Sequence, residues 1–302
     1  MRFVTFSAGT EPARAGILLG DADAPDDAVV DLGHPAMREA LGGVAPDLGA
    51  MVQGGLDGIV HALAGRELPE EARRPLGSVR LFAPLPRPGR IYGLAHNFRD
   101  AVAERGMEPP AEPVLFMKEA SSLVGPGDPI VLPAGIGGVT YEAELAAVIG
   151  TRADKVSRED ALRHIAGYVA FNDVSASELI KREGRFDRGK NLPTFGPIGP
   201  FLASTDEIPD PQNVPIRLDV DGIALQDGST ATMLFGLATL IEFLSARRSL
   251  EPGDVIATGT PAGVAAVRNP QTWLQPGQTV TIRVGGLGTL TNPVVEGPPL
   301  AS

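Results

Sequence analysis

Tyr141-Glu142-Ala143-Glu144-Leu145-Ala146-Ala147-Val148-Ile149-Gly150 is the stretch on which the reading of this chain turns. The run predicts a strand over Thr140–Gly150. Side chains on a strand alternate faces, so Glu142 and Glu144 share one face with Ala146 and Val148, while Tyr141, Ala143, Leu145 and Ile149 take the other. Two carboxylates roughly 7 Å apart on one face repel unless a cation or a proton lies between them. Glutamate is also depleted in strands, so the pair costs stability. A Glu-x-Glu pair is equally at home on a solvated sheet edge, and further residues have to decide between the two.

Working outward, a second apolar run, Ile165–Asp173, predicts another strand ending in Asn172-Asp173. Acids at strand ends are often plain turn residues. Lys190 lies in GKNLPTFGPIGP (Gly189–Pro200), a loop-like segment, and Thr258-Gly259-Thr260-Pro261 follows a short strand, a turn that exposes hydroxyls and amide donors to anions. With 37 Gly and 28 Pro, the chain favours many short strands over long helices. Helical patterns cover Leu48–Leu63 and Met233–Arg248, and Asn97 is a predicted N-cap for a helix through about Arg105. EPGD (Glu251–Asp254) and QPGQ (Gln275–Gln278) read as turns introducing strands. The Pro-rich stretch Arg73–Gly89 suggests a small N-terminal domain over 1–80 and a main domain over 81–302.

Composition narrows the chemistry. The 302 residues carry a net charge of −11, which argues against a nucleic-acid partner. No apolar stretch is long enough for a membrane helix. The opening MRFVTFSAGTEPAR lacks the apolar core of a secretory signal, so the expected location is cytoplasmic. Absence of cysteine excludes disulfides, thiolate nucleophiles and Cys-type zinc sites. The four histidines, His34, His61, His96 and His164, form no zinc-type spacing. A metal here needs oxygen ligands, which favours Mg²⁺, Mn²⁺ or Ca²⁺.

The order and flanks of these pieces resemble the fumarylacetoacetate hydrolase family over roughly Arg90–Val295. GLAHNFRDAVAE, EPVLFMKEASSLVGPGDPIVLP, YEAELAAVIG, GYVAFNDVSASE, GKNLPTFGPIGP, EPGDVIATGTPAGV and GGLGTLTNPVV carry the resemblance. It implies a β-rich α+β fold of stacked mixed sheets with a small N-terminal domain, usually as a homodimer. It also implies Mg²⁺ or Mn²⁺ on the carboxylates of Glu142, Glu144 and Asp173, with Lys190 and Thr260 contacting a 2-oxo or β-diketo acid substrate. Lys118, Gly259 and Asn97, in the same matched stretches, are further expected substrate contacts. The chemistry suits a hard cation that stabilises an enolate when a C–C or C–H bond breaks.

One departure matters most. Where the hydrolases carry a water-activating His–Glu pair, this chain keeps Glu104 but has Ala101 in place of the histidine, and loss of a general base typically costs about 10²–10⁴ in rate. His96, just before the helix, is the candidate substitute. The stretch after Asp173 reads Ser175-Ala176-Ser177-Glu178 instead of the common Ser-x-Arg-Asp, and Pro193 replaces a common aspartate. Hydrolytic C–C cleavage is the first expectation. Isomerisation (tautomerisation) or decarboxylation through the same enolate is the alternative, and tolerates Ala101 better. A catalytically silent oxo-acid-binding protein is the rival from another class; the intact acids and Lys190 argue against it.

Overall fold

The computed structural model describes residues 1–24, 27–37 and 40–300. Its centre is the antiparallel pair Ala143–Ile149 and Ile165–Asn172, with Ala143 opposite Asn172 and Glu144 opposite Phe171. Both strands are buried along their whole length. They are the middle of a 12-stranded mixed sheet. Gly196–Ser204 flanks the pair on one side, and Val255–Ala257 and then Ile91–Ala95 on the other.

The alternation read from the sequence sorts the two faces. Leu145 and Ala147 join one core cluster with Ile216, Leu218 and Ile282 of a second, five-stranded sheet. Ala146, Val148 and Val169 join another with Leu48, Met51 and Ile59, carried by two short helices. The fold is thus β-rich α+β with stacked mixed sheets. The Arg2–Ser7 strand pairs with Gly196–Ser204, so the first strands of the chain extend the large sheet.

Several local expectations change under tertiary forces. The helical pattern over Leu48–Leu63 splits into Leu48–Gln53 and Leu56–Leu63 at Gly54-Gly55, where Gly55 takes φ +96°. Met233–Arg248 shortens to Leu237–Ser245, because Met233 forms a β-bridge to Phe98 and Gly236 caps the helix. Asn97 is not a helix cap. Phe98 is, and the helix runs Arg99–Glu104. The acidic stretch Asp21–Asp27 lies partly outside the described residues. The EPGD and QPGQ turns form as read, with φ of +91° at Gly253 and +92° at Gly277. Among the described residues no helix is long and apolar enough to cross a membrane.

Gly167 fixes how closely the central strands approach. A Cβ there would stand 2.1 Å from the Ala203 carbonyl oxygen, a backbone atom that cannot rotate away. Gly167→Ala is therefore expected to destabilise the protein by about 1–3 kcal/mol. The urea midpoint should fall with little change in slope.

Candidate active site

The strand register gathers the acids. Ala143 pairs with Asn172, and one step further the Asp173 amide donates to the Glu142 carbonyl at 2.9 Å. Glu142 and Asp173 are thus cross-strand neighbours, and Glu144 lies two residues along on the same face. One carboxylate oxygen from each of the three falls within 4.8 Å of the others. Asp173 and Glu144 are buried and Glu142 is partly exposed. The solvated-edge reading of Glu-x-Glu does not hold, because the strand is central.

Two lysines meet these acids. Lys190 Nζ lies 2.5 Å from Asp173 Oδ2 and 3.0 Å from Glu142 Oε2. Lys118 Nζ lies 2.8 Å from Asp173 Oδ1 and also donates to the Lys190 carbonyl. Three carboxylates and two ammonium groups leave a formal −1 before any metal is bound. Burial raises the Asp173 carboxyl, but Lys118 and Lys190 outweigh it and hold it below its ordinary value. Burial and the two neighbouring carboxylates push Glu144 well above its ordinary value. Burial also raises Glu142, against the pull of Lys190. Lys190 is lowered by burial and raised more strongly by Asp173 and Glu142, so it stays charged.

Glu144 Oε2 accepts the Gly259 amide at 2.9 Å, whereas its Oε1 is buried with no hydrogen-bond partner. A buried carboxylate oxygen left bare costs about 1–3 kcal/mol or more. A cation among three acids satisfies that oxygen, and an all-oxygen donor set suits a hard dication. The residues present therefore fit a divalent metal.

Beside the acids opens a cavity of about 210 Å³, the volume of roughly seven waters at ~30 Å³ each. Glu142, Lys190, His96, Ala101 and Thr260 line it, as the sequence reading requires of an active site. His96 has φ +59°, and its Nδ1 is buried without a partner. Burial, Arg105 and Lys190 hold its imidazole below the ordinary value, so it is neutral at pH 7.

Lys118, Asn97, Gly259 and Glu104 are placed around the cavity and not on its wall. Lys118 is buried behind Asp173. The Asn97 amide donates to the carbonyls of Thr258 at 2.8 Å and Phe235 at 3.1 Å, binding the Arg99–Glu104 helix to the Thr258 turn. Gly259 acts through Glu144 and takes φ +88°. Glu104 is exposed, and its carboxylate accepts the Gly263 amide at 2.9 Å. The Thr260 hydroxyl proton is given to the Ala143 carbonyl at 2.8 Å, while its oxygen accepts from Gln226.

Sequence reasoning missed Gln226, a buried amide that also accepts the Ala143 N–H at 2.9 Å. It missed Arg105, Lys181 and Phe186 on the cavity wall. Only Phe186, an aromatic in a polar stretch, gave a usable signal.

An acidic triad on stacked sheets, beside a small lined cavity, is an arrangement that could hold a divalent metal. Residues 90–295 match the family model described as fumarylacetoacetate hydrolase, C-terminal. The chain belongs to the fumarylacetoacetate hydrolase family, and it is an enzyme of that family. A Burkholderia ambifaria relative bearing only a provisional hydrolase name is 45% identical over 231 residues, covering 75% of this chain and 82% of that protein. The solved fumarylacetoacetate hydrolase of the psychrophile Exiguobacterium antarcticum superposes with a TM-score of 0.81 at 32% identity, covering 98% of this chain and 100% of that one. The 2-hydroxyhepta-2,4-diene-1,7-dioate isomerase of Mycobacterium marinum does so at 0.75 and 32%, covering 98% of each.

Metal binding has a direct readout. Mn²⁺ at a hundredfold excess over its Kd should stabilise the protein by about 2.7 kcal/mol, visible as a rise in Tm. Glu144→Gln should abolish that rise and, by removing a buried carboxylate, leave the metal-free protein no less stable than the parent.

Proposed function

We propose that this enzyme is a Mg²⁺- or Mn²⁺-dependent isomerase of an enolisable 2-oxo or β-diketo acid, moving a proton along the substrate while leaving its carbon skeleton intact. One observation carries the choice. Ala101 lines the cavity at the position where the family resemblance implies a histidine, and Glu104 accepts the Gly263 amide and does not line the cavity.

A divalent cation on Glu142, Glu144 and Asp173 supplies positive charge for the negative charge that develops on the substrate's oxygen. Lys190 balances the acids and adds a second cation facing the cavity. His96 takes the proton from the carbon next to the carbonyl and returns it further along the conjugated chain, so atoms and charge balance without water as reactant. Its imidazole, held below the ordinary value and lining the cavity, suits a base. Thr260, held by Gln226 and Ala143, shapes the wall. Hydrolytic C–C cleavage is the second reading, favoured by the provisional hydrolase name of the 45% identical relative and by the structural likeness to a fumarylacetoacetate hydrolase.

The deciding experiment incubates the Mg²⁺-loaded enzyme in D₂O with acylpyruvates and unsaturated 2-oxo acids, followed by NMR and mass spectrometry. A shifted double bond and deuterium in an intact skeleton support isomerisation. Two acid fragments establish hydrolysis, and loss of CO₂ establishes decarboxylation. Full activity in Glu144→Ala would sink the metal-dependent reading altogether.

His96→Gln should lower kcat by about 10²–10⁴. The imidazole accepts a proton only when neutral, so activity should fall as pH drops through a value below its ordinary 6.5 and be level at neutral pH. That acid limb should vanish in the variant. Ala101→His should raise hydrolysis of an acylpyruvate if the remaining hydrolytic parts are in place.

A further inference from the structure

Gln226 takes no part in the proton transfer above, and its setting is unusual for a glutamine, a residue mostly found exposed. The Ile223–Ser229 strand lies at the edge of the five-stranded sheet, and Gln226 is the only one of its seven residues that is buried. An inward position on such a strand is ordinarily apolar. Here it carries an amide engaged at both ends. Its Oε1 accepts the Ala143 N–H at 2.9 Å, and its Nε2 donates to Thr260 Oγ1 at 2.8 Å and to the Pro261 carbonyl at 2.9 Å.

Ala143 is the residue between Glu142 and Glu144, and its strand runs short of a neighbour there. The Val255–Ala257 strand pairs with Ala146–Val148, and the Thr258 amide and hydroxyl reach the Leu145 carbonyl. At Ala143 two side chains take the place of that strand: Gln226 accepts the N–H, and the Thr260 hydroxyl donates to the carbonyl at 2.8 Å. The Ala143 dihedrals fix the separation and angle at which Glu142 and Glu144 leave the strand. Gln226, bonded to Thr260 as well, joins the two grips on that peptide into one.

We infer that Gln226 is a positioning residue for the metal: by gripping Ala143 from the second sheet, it fixes the spacing of Glu142 and Glu144 to suit a small dication of strict geometry. The inference rests on the metal reading of the site. Mg²⁺ demands near-octahedral oxygen ligands at ~2.0–2.1 Å, whereas Ca²⁺ accepts about 6–8 oxygens at ~2.3–2.6 Å in flexible arrangements. Loosening the two glutamates therefore penalises Mg²⁺ far more than Ca²⁺. A purely structural amide, whose loss softens the fold as a whole, would weaken both ions alike.

Isothermal titration of the metal-free parent and of Gln226→Met, with Mg²⁺ and separately with Ca²⁺, tests this. Methionine is unbranched like glutamine and fills the site, but makes none of these hydrogen bonds. The Kd for Mg²⁺ should rise about ten- to hundredfold, the range seen when an outer partner of a metal ligand is lost. That for Ca²⁺ should stay within about threefold, which also shows that the variant is folded. Thr260→Val cuts the same link from its other end and should shift the Mg²⁺/Ca²⁺ ratio in the same direction. The double variant should add little to the larger single effect, because both changes act on one peptide. An equal loss of both ions, or an unchanged ratio, in Gln226→Met overturns the assignment and leaves the metal reading standing. Should that variant not fold, the same two results in Thr260→Val overturn it. A parent enzyme that binds neither ion removes the metal reading as well.

Discussion

The antiparallel register of Ala143–Ile149 against Ile165–Asn172 is the constraint on which the site depends. It makes Glu142 and Asp173 cross-strand neighbours and puts Glu144 on the same face, in the middle of a sheet. Three acids in that position are tolerable because Lys118 and Lys190 approach Asp173 from two directions. Removing one partner of such a buried set leaves the others uncompensated, which is far more costly than losing a surface pair. The set remains one formal negative charge in excess, and one Glu144 oxygen has no hydrogen-bond partner.

Around this cluster, buried amides do the connecting. Asn97 joins the Arg99–Glu104 helix to the Thr258 turn and to Phe235, and Gln226 joins the second sheet to Thr260, Pro261 and Ala143. Each satisfies backbone groups that would otherwise be unpaired in the interior. Cavity wall and acidic cluster are therefore held to one another by short polar links. Substitutions at Asn97 or Gln226 would act on the site through geometry, without either side chain touching a substrate.

The proposed isomerisation rests on what the cavity lacks as much as on what it holds. Alanine at position 101, on a helix facing the site, cannot direct a water molecule, while His96, at the strand end before that helix, is half-buried and held below its ordinary value by burial, Arg105 and Lys190. His96 and Ala101, five residues apart along the chain, line the same cavity. Enolisation needs a base, a charge-stabilising group and exclusion of water; it does not need an activated water.

Much of this was legible in the residues. Alternation along Tyr141–Gly150 gave the faces correctly, since period-two burial follows from strand geometry alone. The motif order gave the family, and Glu142, Glu144, Asp173 and Lys190, singled out in the sequence, lie together in the structure. Other features were beyond reach because they depend on partners distant in sequence. Asn97 looks like a helix cap until Thr258 and Phe235 take its amide, more than a hundred residues away. Arg105 and Lys181 look like solvated charges until two short helices bring them to one cavity. Composition and local pattern determine which elements form and which side chains carry charge. Only the tertiary structure decides which of those charges are buried, which are paired, and which are left facing a substrate, because desolvation and Coulomb energies depend on distances the chain sets only when it folds.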